Sequence, residues 1–219
     1  MELVRPSFEI MRVMGLGSSI EFIEECGRVC YKSEDKISPG SAKKFVQKIN
    51  NLGHESVIEH SAMTVKFICD RGVSHELVRH RLCAFSQEST RYCNYKNEVT
   101  FVIPPWIVIE EGIYSTDYID PRKIDRETNT WFCGMKYAKD SYLTLLDFGW
   151  SPQQARSVLP NSLKTEIVVT ANFREWKHIF TLRCSKAAHP QMRELMIPLH
   201  KECKKLIPII FDEIEYEKD

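Results

Sequence analysis

No apolar run in this chain approaches the roughly eighteen residues that a membrane-crossing helix needs. The opening segment, Met1 to Ile10, also lacks the apolar centre of a secretory signal, so a cytoplasmic protein outside the membrane is the expectation. Neither sign of charge is in excess. Lys and Arg together number 30, as do Asp and Glu. That balance argues against a protein built to coat nucleic acid or an anionic membrane, because such binding rests on a basic surface that displaces counterions. There is no Gly-rich phosphate loop and no Gly-x-Ser-x-Gly nucleophile elbow. The eight cysteines form no Cys-x-x-Cys pair and no zinc-ribbon spacing, which makes reduced thiols the default and no metal the expectation. Repeats, low-complexity tracts and domain boundaries are lacking too. With 43% hydrophobic and 27% charged residues over 219 positions, one mixed α/β (α+β) domain spanning 1–219 is the simplest reading.

What is present begins with alternation. Leu3, Phe8, Ile10 and Val13 predict one strand ending at Gly15-Leu16-Gly17, after which Ser19 caps a helix carrying Ile20, Phe22, Ile23, Cys26 and Val29. Ser41 to Asn51 predicts a second helix with Phe45, Val46 and Ile49 inward and Gly53 as its stop. Met63, Val65, Phe67 and Cys69 predict a strand, and Ser74 to Leu82 a short helix with Ser74 as N-cap. Phe85 to Tyr95 reads as extended or looping, Thr100 to Ile103 as a strand, and residues 110 to 125 as a surface excursion. Arg126 to Phe148 predicts a long helix, Ser151-Pro152 opens a short one, and Thr165 to Phe173 is the strongest strand signal. Helices over Trp176 to Cys184 and His189 to Glu213 close the chain.

Chemistry concentrates between Arg79 and Tyr92. Within fourteen residues stand Arg79, His80, Arg81 and Arg91, interleaved with Ser86, Gln87, Glu88, Ser89 and Thr90. In an electrically neutral chain this local excess of Arg points to an anion, since guanidinium groups form bidentate, charge-assisted bonds with phosphate. On the predicted helix Glu76, Arg79 and His80 share a face, which also fits an ordinary ion-paired surface. A second cluster, Asn172, Arg174, His178 and Arg183, follows the strongest strand, where a helix N-terminus offers free amides to an anion. Arg156 adds one more guanidinium. His54 and His60 are six apart, wrong for a zincin helix, and favour a polar turn. Cys83 and Cys93 flank the Arg cluster, where cations would lower a thiol pKa, but no His base is placed beside them by spacing.

Together these segments resemble the flavin-dependent thymidylate synthases. Their signature of Arg-His-Arg, seven residues and Ser is matched by Arg79-His80-Arg81, Leu82 to Glu88 and Ser89. Gly53-His54-Glu55-Ser56, Arg156 to Pro160, and Asn172-Phe173-Arg174 through Arg183 follow in the family's order, so the likeness covers roughly residues 48 to 200.

The resemblance implies a mixed sheet flanked by helices and a homotetramer with active sites shared between chains. It implies FAD at Ser56, Arg79, His80, Arg81, Gln87, Asn172, Arg174 and His178. It implies dUMP at Glu76, Leu77, Val78, Arg79, Gln87, Glu88, Ser89, Thr90, Arg91, Arg156 and Arg183, with Arg183 polarising the uracil ring. The implied reaction is reductive methylation of dUMP to dTMP, with methylenetetrahydrofolate as carbon source and NADPH reducing the flavin. Two positions depart from the family pattern: Glu76 replaces a common Gln, and Gln87-Glu88 stands where many members place a single Glu. His189 has no implied role because the spacing from Arg183 differs. The competing reading is a nucleic-acid-binding module that uses Arg79 to Arg91.

Overall fold

The computed structural model describes residues 1–14, 19–114 and 124–216. In chain order the elements are β1 (Glu2–Val4), β2 (Ser7–Val13), α1 (Ser19–Tyr31), α2 (Ser41–Asn51), β3 (Ala62–Asp70), α3 (Arg71–Leu77), β4 (Ala84–Gln87) and β5 (Thr100–Val102). There follow β6 (Gly112–Ile113), α4 (Arg126–Asp147), α5 (Pro152–Ala155), β7 (Lys164–Asn172), α6 (Phe173–Arg183), α7 (Pro190–Leu206) and α8 (Pro208–Phe211). Short 3-10 turns occupy Glu34–Lys36, Glu55–His60 and Arg156–Val158. One sheet has the order β5-β1-β6 and the other β2-β3-β7-β4. The fold is mixed α+β, as the sequence predicts.

The chain divides into two compact units, one of Met1–Ser7, Phe67–Arg79 and Ser86–Ile167, the other of Phe8–Lys66, His80–Phe85 and Val168–Asp219. In the first, β1 runs parallel to β5 with Leu3 opposite Phe101, and antiparallel to β6 with Leu3 opposite Gly112. Leu3, Phe101, Phe132, Tyr142 and Leu163 form its buried centre. Helix α4 starts at Asp125, whose carboxylate accepts from the Thr128 N–H at 2.6 Å, an N-cap that uses an otherwise unpaired helical donor. The Gln154 amide oxygen accepts from Ser151 N and Oγ, closing the start of α5 before Pro152.

In the second unit α1 packs on α2. Ala42, Phe45, Val46 and Ile49 of α2 are buried at helical spacing, and Gly53 follows at φ 71°, a conformation open to glycine. The buried face of α1 is Ser19, Ile23, Glu24 and Gly27, while Phe22 and Val29 on the same helix are exposed. Buried Glu24 is tolerated because Arg28 Nη2 lies 2.7 Å from Oε1 and Ser41 Oγ donates to Oε2 at 2.7 Å. Met63 and Val65, like Phe67 and Cys69 further along β3, are buried as their alternation predicts. Trp176 Nε1 donates to the Met63 carbonyl at 3.0 Å, so the largest buried ring keeps its one polar atom bonded.

Four expectations are corrected. The single strand over Leu3 to Val13 is two strands in different sheets, interrupted at Arg5-Pro6, where proline supplies no ladder donor. Helix α3 spans Arg71–Leu77 and not Ser74 to Leu82; its N-cap is Asp70, which accepts from the Val73 N–H at 2.7 Å, a better-placed carboxylate than the Ser74 hydroxyl. Arg79, His80 and Arg81 therefore lie beyond the helix, and Glu76, Arg79 and His80 form no common helical face. The last helix breaks at Ile207, because Pro208 disfavours a helical residue before it and donates no N–H. The predicted strand end at Gly15 to Gly17 and most of the 110 to 125 excursion lie outside the described residues.

Candidate active site

The second unit brings together residues about a hundred positions apart. His80, just after α3 in the chain, is 5% exposed. Arg183, the last residue of α6, donates from Nε to His80 Nε2 at 3.0 Å. On the other side of the ring Glu175 Oε1 stands 3.3 Å from Nδ1, and the His178 ring lies 5.8 Å away, edge to face. Helix α6 supplies three of the four because it begins without a linker after β7. Asn172, the last strand residue, is its N-cap and accepts from the Glu175 N–H at 2.9 Å.

The electrostatics follow from that geometry. Burial, the Arg183 guanidinium and His178 together push His80 down to about 4, so the ring is neutral near neutrality. Burial raises the Glu175 carboxyl, partly offset by His178. Cys83 is pushed up to about 12 by burial and by Glu175, the opposite of the activation expected from neighbouring cations.

His80, Glu175 and His178 offer ligand atoms within 4.8 Å of one another, close enough for a metal by distance. The chemistry is less favourable. A guanidinium has only donors, so His80 Nε2 must present its lone pair to Arg183, and the neutral ring keeps its proton on Nδ1. A metal at Nδ1 would then require loss of that proton from an already neutral ring, or release of Arg183.

Arg174 is half-exposed and lies 2.5 Å from Glu59 and 3.6 Å from Glu55. These carboxylates belong to the 3-10 turn that also carries Ser56, and α6 packs against that turn. Ser56, Arg81 and His178 are exposed. Arg174 and His178 stand four apart on α6, and the Arg174 guanidinium is already engaged by the two carboxylates, so an anion there would meet negative charge as well as donors. His54, expected in a polar turn, precedes this segment and shares a 2.8 Å hydrogen bond with the Tyr31 hydroxyl.

The first unit holds the signature's second half. Gln87 donates from Nε2 to Ser74 Oγ at 2.9 Å and to Thr165 Oγ1 at 3.2 Å. Glu88 accepts from the Tyr95 hydroxyl at 2.7 Å and lies 3.4 Å from Lys164 Nζ. Burial and the bond to Glu88 raise the Tyr95 phenol, keeping it a donor. Arg156 Nη1 donates to Thr90 Oγ1 at 3.0 Å, while Arg91 stacks over Tyr92. Ser89 Oγ accepts from the Arg91 N–H. Glu76 is half-buried, Leu77 buried, and Val78 and Arg79 exposed.

Three supporting residues escaped the sequence reading. Glu175 was visible as an acidic residue three places after an N-capping Asn, but its inward direction depends on the strand-to-helix junction. Tyr95 and Lys164 have no local pattern that ties them to Glu88.

Comparison with known proteins bears on the family and the fold. The family model described as thymidylate synthase complementing protein matches residues 16–209. A protein of Geobacter sulfurreducens named flavin-dependent thymidylate synthase is 33% identical over 192 residues, covering 84% of this chain and 77% of that protein. One of the same name from Corynebacterium aurimucosum is 32% identical over 204 residues, covering 91% and 81%. Among solved structures, the UMP/dUMP methylase PolB from Streptomyces cacaoi bound with 5-Br dUMP superposes with a TM-score of 0.74 at 25% identity, covering 97% of this chain and 96% of that one. A second PolB structure, bound with 5-Br UMP, shares the fold with a TM-score of 0.76 at 23% identity over 97% and 95% of the two chains. With the match extending over nearly all of its length, this chain belongs to the flavin-dependent thymidylate synthase family.

Proposed function

We propose that this protein converts dUMP to dTMP by reductive methylation, with methylenetetrahydrofolate as carbon donor and FAD reduced by NADPH. The observation that carries the reading is Arg183 held on the neutral ring of buried His80 in a member of this family. A guanidinium fixed before substrate arrives needs little reorganisation to stabilise charge developing on a pyrimidine imide edge. The bound flavin supplies the hydride. Ser56, Arg79, His80, Arg81, Gln87, Asn172, Arg174 and His178 would hold that cofactor. Glu76 to Arg79, Gln87 to Arg91, Arg156 and Arg183 would hold dUMP. In this reading residues 1–219 act as one catalytic domain, in a cytoplasmic homotetramer with shared sites.

The scheme calls for no cysteine nucleophile, which suits Cys83, whose thiol is held protonated. Purified protein should be yellow, bleach on addition of NADPH and form dTMP from dUMP and methylenetetrahydrofolate. Arg183→Ala should keep its flavin and lose most turnover; unchanged turnover would remove Arg183 from its role. Failure to bind flavin after reconstitution would end the reading as a whole.

A further inference from the structure

The hydrogen bonds around His80 fit one protonation state. If the proton sat on Nε2, it would face the Arg183 N–H at 3.0 Å, donor against donor, while the Nδ1 lone pair faced the Glu175 carboxylate at 3.3 Å. With the proton on Nδ1 both contacts become attractive. A doubly protonated ring would give Nε2 a proton directed at a permanent cation. Glu175 is itself only 6% exposed, and an ionised carboxylate at such a position is costly unless it meets a donor.

We propose that Glu175 is a positioning residue: its carboxylate selects the Nδ1–H tautomer of His80, which leaves the Nε2 lone pair to hold and aim the Arg183 guanidinium. The inference rests on the reading that Arg183 acts on the pyrimidine. Glu175 does not touch substrate in this scheme; it works through the imidazole, as carboxylates fix histidine tautomers elsewhere. The backbone supports that role, because Glu175 N is anchored to the N-cap Asn172 at 2.9 Å, which holds the first turn of α6 beside the ring.

The test uses full-length, flavin-loaded protein with 15N-labelled histidine rings, in wild-type, Glu175→Gln and Glu175→Leu forms. Long-range 1H–15N spectra should show a protonated Nδ1 and an unprotonated Nε2 for His80 in the wild type. Glu175→Gln keeps an acceptor oxygen and should preserve both the tautomer and most of kcat. Glu175→Leu should mix the tautomers and lower kcat by about tenfold, the scale of one oriented buried hydrogen bond, with a smaller change in KM for dUMP and no loss of flavin. A wild-type His80 protonated on Nε2, or a Glu175→Leu protein with unaltered tautomer and kcat, would overturn the proposal. Should Glu175→Leu fail to fold, the wild-type spectrum and Glu175→Gln still decide. Wild-type protein that shows the tautomer but leaves dUMP unmethylated would instead overturn the activity reading, and with it Glu175's part in that reaction.

Discussion

Gln87 donates its amide to Ser74 Oγ at 2.9 Å, and Ser74 can only accept, because its own proton is given to the Arg71 carbonyl at 3.0 Å. The resemblance places Glu at this position in many members of the family; here a carboxylate would meet a hydroxyl lone pair. Gln87→Glu should therefore destabilise the protein by about 1–3 kcal/mol, the cost of an unmet buried polar contact. The penalty should shrink in a Ser74→Ala background, where the opposing lone pair is gone. Urea unfolding of the two single variants and the double variant measures the coupling, and strict additivity would contradict the account.

The depressed His80 pKa makes stability depend on pH. Between its ordinary value of 6.5 and about 4 the unfolded chain binds the proton and the folded one does not, so stability rises with pH across that window and is lost as pH falls through it. Buried His200, also lowered, adds a slope of the same sign, while the raised Glu175 opposes it. The difference between wild type and His80→Gln isolates the His80 contribution. Thermal midpoints taken along this range should show a shallower acid-side fall in the variant; parallel curves would exclude it.

Cys83 should be chemically quiet. With its thiol held at about 12, iodoacetamide at about pH 8 should leave it unmodified while exposed Cys30 is alkylated, because the thiolate is the reactive form. Peptide mass spectrometry reads the two sites separately. Rapid labelling of Cys83 in folded protein would contradict its environment.

Two glycine substitutions should act in opposite directions. A Cβ at Gly27 would lie 2.5 Å from Phe45 Cε1 and 2.9 Å from Val57 Cγ1, and the Phe45 ring is already covered by Arg28 at 4.5 Å. Overpacking at roughly 1–3 kcal/mol outweighs the helix-propensity gain of about 1 kcal/mol, so Gly27→Ala should lose stability. Gly134, exposed in α4, has nothing within 4 Å of a built Cβ, and Gly134→Ala should gain about 0.5–1 kcal/mol. Denaturation midpoints of the pair provide the check.

Much of the fold was legible because its signals are periodic. The alternation of Met63, Val65, Phe67 and Cys69, and the spacing of Phe45, Val46 and Ile49, are local patterns with one physical solution. Helix α3 was misplaced because its N-cap is the Asp70 carboxylate at the end of β3 and not the Ser74 hydroxyl four residues later. The Arg-His-Arg signature identified His80, and the Asn172 to Arg183 segment identified Arg183, as candidates through family resemblance. No sequence rule revealed that they touch, since that contact depends on where two distant segments leave their strands and helices. Glu175 and the Tyr95–Glu88–Lys164 contacts were illegible for the same reason: their partners are chosen by tertiary position.

Strand β7 passes into α6 with Asn172 as the last residue of one and the cap of the other, leaving no linker between them. Such a joint transmits length changes directly. One inserted residue at the start of α6 would turn the rest of the helix by about 100° and advance it by about 1.5 Å, removing Arg183 from His80. Diversification of this segment is therefore confined to substitution, whereas insertions and deletions must accumulate elsewhere. A library built on this protein should tolerate changed side chains at exposed Thr181 and Leu182 and reject any change in the number of residues between Asn172 and Arg183.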